Sequence, residues 1–176
     1  MTAGPATTPP LPGLVLFLVV LAAQRIGELV HSARNERCLR ARGAREHAAG
    51  HFPLLVLVHV LFPVLLVGEV LGLGARPGPL WPLWLSVWLA AQALRYAAVR
   101  ALGERWSVRI WVVPGEPLVR RGPYRFLRHP NYLAVVLELI AAPLAFGAWR
   151  TALVVSAIDL VALALRIRAE ERALGA

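Results

Sequence analysis

The chain has 176 residues, 58% of them hydrophobic and only 16% charged, with a formal net charge of +9. This balance excludes a conventional water-bathed core and points to lipid as the solvent. All 19 basic residues are arginines; membrane-flanking arginines in contact with anionic headgroups account for the charge, so nucleic acid is not an expected partner.

In chain order, residues 1–13 (MTAGPATTPPLPG) are proline-rich and lack the positive n-region of a secretory signal. They are expected to form a flexible N-terminal extension ahead of a retained first helix. Five apolar segments follow: Leu14 to Val30, Phe52 to Leu73, Leu80 to Ala98, Tyr132 to Ala148 and Thr151 to Leu165. A bilayer core about 30 Å thick needs about 20 apolar residues per helix, which the first three supply and the last two approach with tilt. The expected fold is therefore all-α, an integral membrane protein with about five transmembrane helices, with residues 14–176 as one domain. Sixteen arginines fall on one side if the N-terminus is outside, in the stretches 34–45, 95–128 and 166–172. The positive-inside rule then puts the N-terminus outside the cell membrane and the C-terminus, with the 100–129 segment, in the cytoplasm.

Several polar residues interrupt this apolar pattern. Arg25, Glu28, Ser32 and Asn35 recur at spacings of three and four, so they share one face of the first helix. An ionised side chain near a membrane centre costs at least ~2.5 kcal/mol, and such residues face a partner or a wet cavity. Arg25 and Glu28 either neutralise one another or line a pocket. The second helix carries His51 and His59 at eight residues' separation, with Glu69 near its far end. No His-Glu-x-x-His spacing and no second ligand cluster accompany them, and Cys38 is the single cysteine, so neither a metal site nor a disulfide is expected. In the fifth helix Asp159, Arg166 and Glu170 lie close to one face, while Arg168 and Glu171 fall on another. That geometry predicts that the two faces do not both point at one small ligand.

Between the third and fourth helices, Pro114-Gly115, Glu116-Pro117 and Gly122-Pro123 punctuate the chain into turns, which predicts a structured cap instead of one long helix. Pro130 suits the first turn of the fourth helix, which puts His129 at the helix mouth and Tyr132 less than a turn inside. Backbone donors at that mouth would favour an anion.

The stretch "LVRRGPYRFLRHPNY", a following helix, and a last helix that runs into "RAEE" resemble the isoprenylcysteine carboxyl methyltransferase family of integral membrane enzymes. Upstream, "RIGELVHSARNE", "GAREHAAGHFPLLVLVHVLF" and "RWSVRIWVVPGEPLV" resemble the bacterial subgroup that O-methylates alkylated pyrones and resorcinols made by type III polyketide synthases. The resemblance implies S-adenosyl-L-methionine as cofactor, in a pocket made by a cytoplasmic cap and the ends of the last two helices, open sideways to lipid. It carries over His129, Pro130 and Tyr132 as cofactor contacts, with Leu118, Val119, Gly122 and Tyr124 shaping the pocket. Glu170 and Glu171 match the family's C-terminal glutamates and carry over as cofactor contacts, and Arg168, matching the arginine two positions before them, carries over as a catalytic residue. After "HPNY" the family's usual small residue is replaced by Leu133 and then Ala134.

Methyl transfer from a sulfonium needs a nucleophile held in line at about 3 to 3.5 Å in a dry enclosure, and much of the acceleration comes from orientation. A carboxylate or an acidic hydroxypyrone is already anionic, whereas a phenol of pKa about 10 benefits from a general base. The candidates for that base are Glu138, Glu28 and His59, with Arg25 and His59 as candidate acceptor contacts. The implied acceptor is a lipophilic small molecule: an alkylpyrone or alkylresorcinol hydroxyl, or a prenylcysteine carboxylate. Alternatives are phospholipid N-methylation at the same cap and a nicotinamide-dependent membrane reductase, for which Pro130-Asn131-Tyr132 is a partial match. "GLGARPG" at 72–78 lacks both the spacing and the preceding strand of a dinucleotide fingerprint. A non-enzymatic scaffold would leave His129, Tyr132 and Glu170 without a reason.

Overall fold

The structure is a computed structural model that describes residues 11–47, 50 and 52–175. Its five helices are α1 (Leu11–Ala41), α2 (Phe52–Val67), α3 (Trp81–Leu102), α4 (Pro130–Ala145) and α5 (Trp149–Leu174). The chain is thus mostly helical. One feature departs from an all-α fold: β1 (Arg45–His47) pairs antiparallel with β2 (Ile110–Val112), with Glu46 opposite Trp111. This ribbon ties the connection after α1 to the segment between α3 and α4. Of the expected extension, residues 1–10 lie outside the described residues, while Leu11 to Gly13 already belong to α1. His51 also lies outside the described residues.

Two stretches, Leu11–Ala41 and Phe52–Gly72, are long and apolar enough to cross a membrane, and Pro130–Ala145 is a shorter apolar helix. Large apolar side chains point outward on several helices, among them Leu16, Val19, Val60, Val64, Leu83, Leu89, Leu153 and Val161, all more than half exposed. So continuous an exposed apolar surface is a liability in water and ordinary in lipid. Inside, Leu14 and Leu21 of α1 meet Val58, Phe62 and Leu66 of α2, Val135 and Leu139 of α4 and Val155 of α5. Phe17 sits among Phe62, Trp88 and Phe146, with ring centroids 6.2, 5.6 and 5.4 Å away. The α3 and α4 pair packs closely, and the alanines buried on it (Ala91, Ala98, Ala134, Ala141) are the small residues that let helix backbones approach.

The end of α2 is not a plain stop. Gly68–Gly72 forms a π turn, and Glu69 in that turn is buried. Its carboxylate accepts hydrogen bonds from the backbone N–H of Arg150 (3.1 Å) and Thr151 (2.6 Å) and from the Thr151 hydroxyl (2.7 Å). An anion placed on the free N–H groups of a helix start satisfies donors that would otherwise be orphaned and complements the helix dipole. Glu69 is therefore the cap of α5, which the sequence left without a role. Next to it, Gly147 has φ +74°, and a Cβ there would lie 1.9 Å from the Arg76 carbonyl oxygen, so this turn is restricted to glycine.

Between the helices lies a connected set of charges. Arg95 of α3 grips Glu138 of α4 bidentately, Nε to Oε1 at 2.6 Å and Nη2 to Oε2 at 2.5 Å. Arg25 of α1 donates to Glu138 Oε2 at 2.9 Å and to Glu28 at 2.6 Å. Gln24 bridges Glu28 (3.0 Å) and Gln92 (2.9 Å). Forked guanidinium–carboxylate bonds are strong and directional where water is excluded, and this set fastens α1, α3 and α4 at one depth.

Candidate functional site

A cavity of about 430 Å³ lies between the segment 105–128, the start of α4 and the end of α5. That volume lies in the usual range of roughly 300–1,000 Å³ for small-molecule pockets.

The cap over this cavity is held from α1. Asn35 Nδ2 donates to the carbonyl oxygens of Gly103 (3.1 Å) and Trp106 (2.8 Å), and the Ser32 hydroxyl accepts from Val108 N–H (3.0 Å). Glu36 accepts from Ser32 and Ser107, both at 2.9 Å. His31 stacks on Trp106, with centroids 5.5 Å apart. The polar stripe of α1 thus divides by depth: Arg25 and Glu28 join the interhelical charges, while Ser32 and Asn35 anchor the cap. Further out, Arg42 and Arg105 both pair with Glu116, and Arg109 pairs with Glu46 across the ribbon at 2.8 Å.

One wall comes from the 3₁₀ turn Gly122–Arg125. Gly122 has φ +56°, and a Cβ on it would come within 3.0 Å of Ala101 Cβ, which presses the turn onto the end of α3. Arg121 Nε donates to the Ala101 carbonyl at 2.7 Å and fixes the same contact. Tyr124 is directed into the cavity, and its burial pushes the phenol well above the usual tyrosine range, so the hydroxyl keeps its proton.

The opposite wall joins α4 to α5. The His129 and Tyr132 rings stack at 5.2 Å with an 11° interplanar angle. The Tyr132 hydroxyl donates to Glu170 and accepts from Arg166 Nε at 2.8 Å. His129 lies 3.9 Å from Glu170 and 3.5 Å from Glu171, and Arg128 is also 3.5 Å from Glu171. The expectation that Glu170 and Glu171 serve different faces is corrected here: both line the cavity, because α5 ends beside it and long side chains reach it from adjacent angles. The helix mouth is also poorer in free donors than expected. Pro130 has no N–H, and the Tyr132 and Leu133 N–H groups return to the His129 carbonyl at 3.1 and 3.2 Å.

Of the residues singled out in the sequence, Leu118, Val119, Tyr124, His129, Tyr132, Glu170 and Glu171 line the cavity. Gly122 and Pro130 shape the backbone beside it. Arg168 is exposed and does not line it. Glu28, Glu138 and Arg25 are held in the interhelical charge set, and Glu138 stands six residues, about 9 Å of helix, beyond Tyr132. His59 donates from Nδ1 to the Leu55 carbonyl of its own helix at 2.7 Å. The structure does not bring these last four residues to the cavity.

Trp111 and Asn131 are among the lining residues that the sequence did not assign to the site. Trp111 Nε1 and Asn131 Oδ1 are buried with no hydrogen-bond partner among the described residues, and so is His129 Nε2, which stands outside bonding geometry from Glu171. The β-branched and aromatic run Ile110-Trp111-Val112-Val113 before Pro114-Gly115 is a strand signal that would have located Trp111. Asn131 lies within the Arg128-His129-Pro130-Asn131-Tyr132 motif. Unpaired buried donors and acceptors are costly, so three of them around one cavity mark a place for a polar ligand. Among the described residues no cluster of three His, Cys, Asp or Glu side chains could hold a metal ion.

The chain is 38% identical to the uncharacterized protein YpbQ of Bacillus subtilis (strain 168) over 159 residues, covering 90% of this chain and 95% of that one. It is 32% identical to an uncharacterized protein of Haemophilus influenzae (strain ATCC 51907 / DSM 11121 / KW20 / Rd) over 161 residues, covering 91% and 93%. No solved structure matches. Residues 84–176, which carry most of α3, the turn before α4 and both α4 and α5, match the family described as Isoprenylcysteine carboxyl methyltransferase (ICMT). The chain therefore belongs to the isoprenylcysteine carboxyl methyltransferase family, a family of membrane methyltransferases.

Proposed function

We propose that this protein is a membrane O-methyltransferase that uses S-adenosyl-L-methionine and acts on a lipophilic acceptor, an alkylpyrone or alkylresorcinol hydroxyl or a prenylcysteine carboxylate. The observation that carries the reading is the set of three unpaired buried polar atoms, on Trp111, His129 and Asn131, around one cavity that also holds Glu170, Glu171 and Tyr132. S-adenosyl-L-methionine bears a sulfonium, an ammonium and a carboxylate. The two glutamates suit the positive groups, the arginines Arg120 and Arg128 suit the carboxylate, and Trp111 and Asn131 offer a donor and an acceptor. When bound, the cofactor supplies an activated methyl carbon. The work of the chain is to hold it, to exclude water and to present the acceptor oxygen in line.

Five membrane crossings with the N-terminus outside and the cap in the cytoplasm complete the proposal, with residues 14–176 acting as one domain. The cofactor then arrives from water and the acceptor from lipid. The test is calorimetric titration of purified protein in detergent with S-adenosylhomocysteine and, separately, with reduced nicotinamide dinucleotide. Saturable binding of the first alone is the expected result; binding of the second alone would replace the methyltransferase reading with a reductase.

A further inference from the structure

The turn that forms the cavity wall also carries a surface of its own. Phe126 follows the Gly122–Arg125 turn and is 83% exposed, and the next residue, Leu127, is 39% exposed. This exposure is built in: Phe126 and Leu127 N–H both return to the Pro123 carbonyl, at 3.1 and 3.0 Å, and Arg121 pins the turn to α3. Four exposed arginines, 120, 121, 125 and 128, flank Phe126 in the sequence. The Arg125 guanidinium lies 5.8 Å from the Phe126 centroid. Among the described residues, Glu171 is the carboxylate that reaches any of these four, at 3.5 Å from Arg128.

We infer that the Arg120–Arg128 turn docks on anionic lipid of the protein's own bilayer, with Phe126 in the headgroup layer and Arg121 and Arg125, which do not line the cavity, on lipid phosphates. The inference rests on the membrane character of the family and not on the identity of the cofactor. A rigidly held, solvent-facing phenylalanine next to Arg121 and Arg125, which meet no carboxylate among the described residues, has the chemistry of an interfacial contact: the ring takes the apolar boundary and each guanidinium takes a phosphate. Charge complementarity selects an anionic leaflet over a zwitterionic one. Because the same turn supplies Tyr124, Leu127 and Arg128 to the cavity, docking sets the cavity mouth at headgroup depth.

The test uses the full chain with Cys38→Ser and Phe126→Cys, labelled at position 126 with a polarity-sensitive dye. The protein is placed in nanodiscs of phosphatidylcholine, alone or mixed with phosphatidylglycerol. Quenching by a headgroup-nitroxide lipid is expected to exceed quenching by iodide, and to rise on the order of twofold when phosphatidylglycerol is present. Adding Arg125→Glu, which reverses the charge beside the ring and lies outside the cavity lining, should remove that rise. Dominant iodide quenching, equal lipid quenching in both discs, or shielding from both quenchers by a second copy would each overturn the inference. Titration of the same labelled protein with S-adenosylhomocysteine reports separately on the proposed function, since Phe126 is outside the cavity wall.

Discussion

The Tyr132 hydroxyl, in the first turn of α4, donates to the Glu170 carboxylate, near the end of α5, while it accepts from Arg166. One phenol therefore joins the two helices that bound the cavity and fixes the carboxylate that faces it. Removing the hydroxyl leaves Glu170 and Arg166 without a shared partner.

Tyr132→Phe is expected to weaken S-adenosylhomocysteine binding by about tenfold, since a hydrogen bond to a charged group is worth roughly 1.5–3 kcal/mol and 1.4 kcal/mol is tenfold in affinity. His129→Ala, which removes the stacked ring beside it, should act in the same direction. Acceptor affinity should change less than cofactor affinity in both. Calorimetry in detergent measures this, and unchanged affinity in both variants would show that the cofactor contacts lie elsewhere.

Asn35→Ala should weaken the same binding without touching the cavity. Its side chain satisfies the carbonyls of Gly103 and Trp106, and an unsatisfied buried acceptor costs about 1–3 kcal/mol. The cap should loosen first. Hydrogen exchange at residues 103–109 is expected to rise together with the loss of affinity; a loss of affinity with unchanged exchange would contradict a positioning role.

Glu138→Gln tests whether the interhelical charges are structural. Breaking a buried ion pair by altering one partner costs up to about 3–5 kcal/mol, because it leaves Arg95 with only the longer contact to Glu28, at 3.4 Å. Thermal stability in detergent should fall sharply, while the folded fraction keeps its affinity for S-adenosylhomocysteine and its turnover. Intact stability with abolished turnover would return Glu138 to the reaction as a base.

The contrast between Glu138 and Glu170 shows where sequence reasoning succeeds and stops. Both are acids on helices near the motif. Spacing places each on a helical face, and the motif resemblance picks out Glu170, but neither reveals which arginine lies opposite. Arg95 belongs to another helix, 43 residues before Glu138 in sequence, so their pairing is a property of tertiary packing. Glu69 was opaque for the same reason: it caps a helix that begins 80 residues later. The apolar segments, the turn at Gly122-Pro123 and the start of α4 at Pro130 were legible because they depend on local chemistry. The β1–β2 ribbon was not, since three-residue strands owe their existence to a partner distant in sequence.

Topology gives an independent check. With the N-terminus outside, sixteen arginines lie in the cytoplasm. Reporter fusions at Ala44 and Ala176 should register inside and a fusion at Pro77 outside. An outside signal at Ala44 or Ala176 would remove the aqueous route to the cavity.

The acceptor should be an amphiphile whose hydroxyl or carboxylate is methylated while its alkyl or prenyl tail stays in the bilayer. The reason is the position of a polar cavity at the ends of α4 and α5, directly beside helices whose outer faces are apolar. Each buried methylene contributes about 0.8 kcal/mol, so lengthening the tail at constant headgroup should lower the apparent KM by several-fold per carbon until the tail outgrows its groove or partitions wholly into lipid. Because that gain is made equally in the ground and transition states, kcat should change little. The assay is transfer of labelled methyl from S-adenosyl-L-methionine, in one detergent, to alkylresorcinols, alkylpyrones, prenylcysteines and phosphatidylethanolamine. Alkylresorcinols and alkylpyrones are expected to lead, with the label on oxygen. Preference for phosphatidylethanolamine with the label on nitrogen would redirect the assignment to phospholipid methylation, and a KM independent of tail length would place the tail outside the protein altogether.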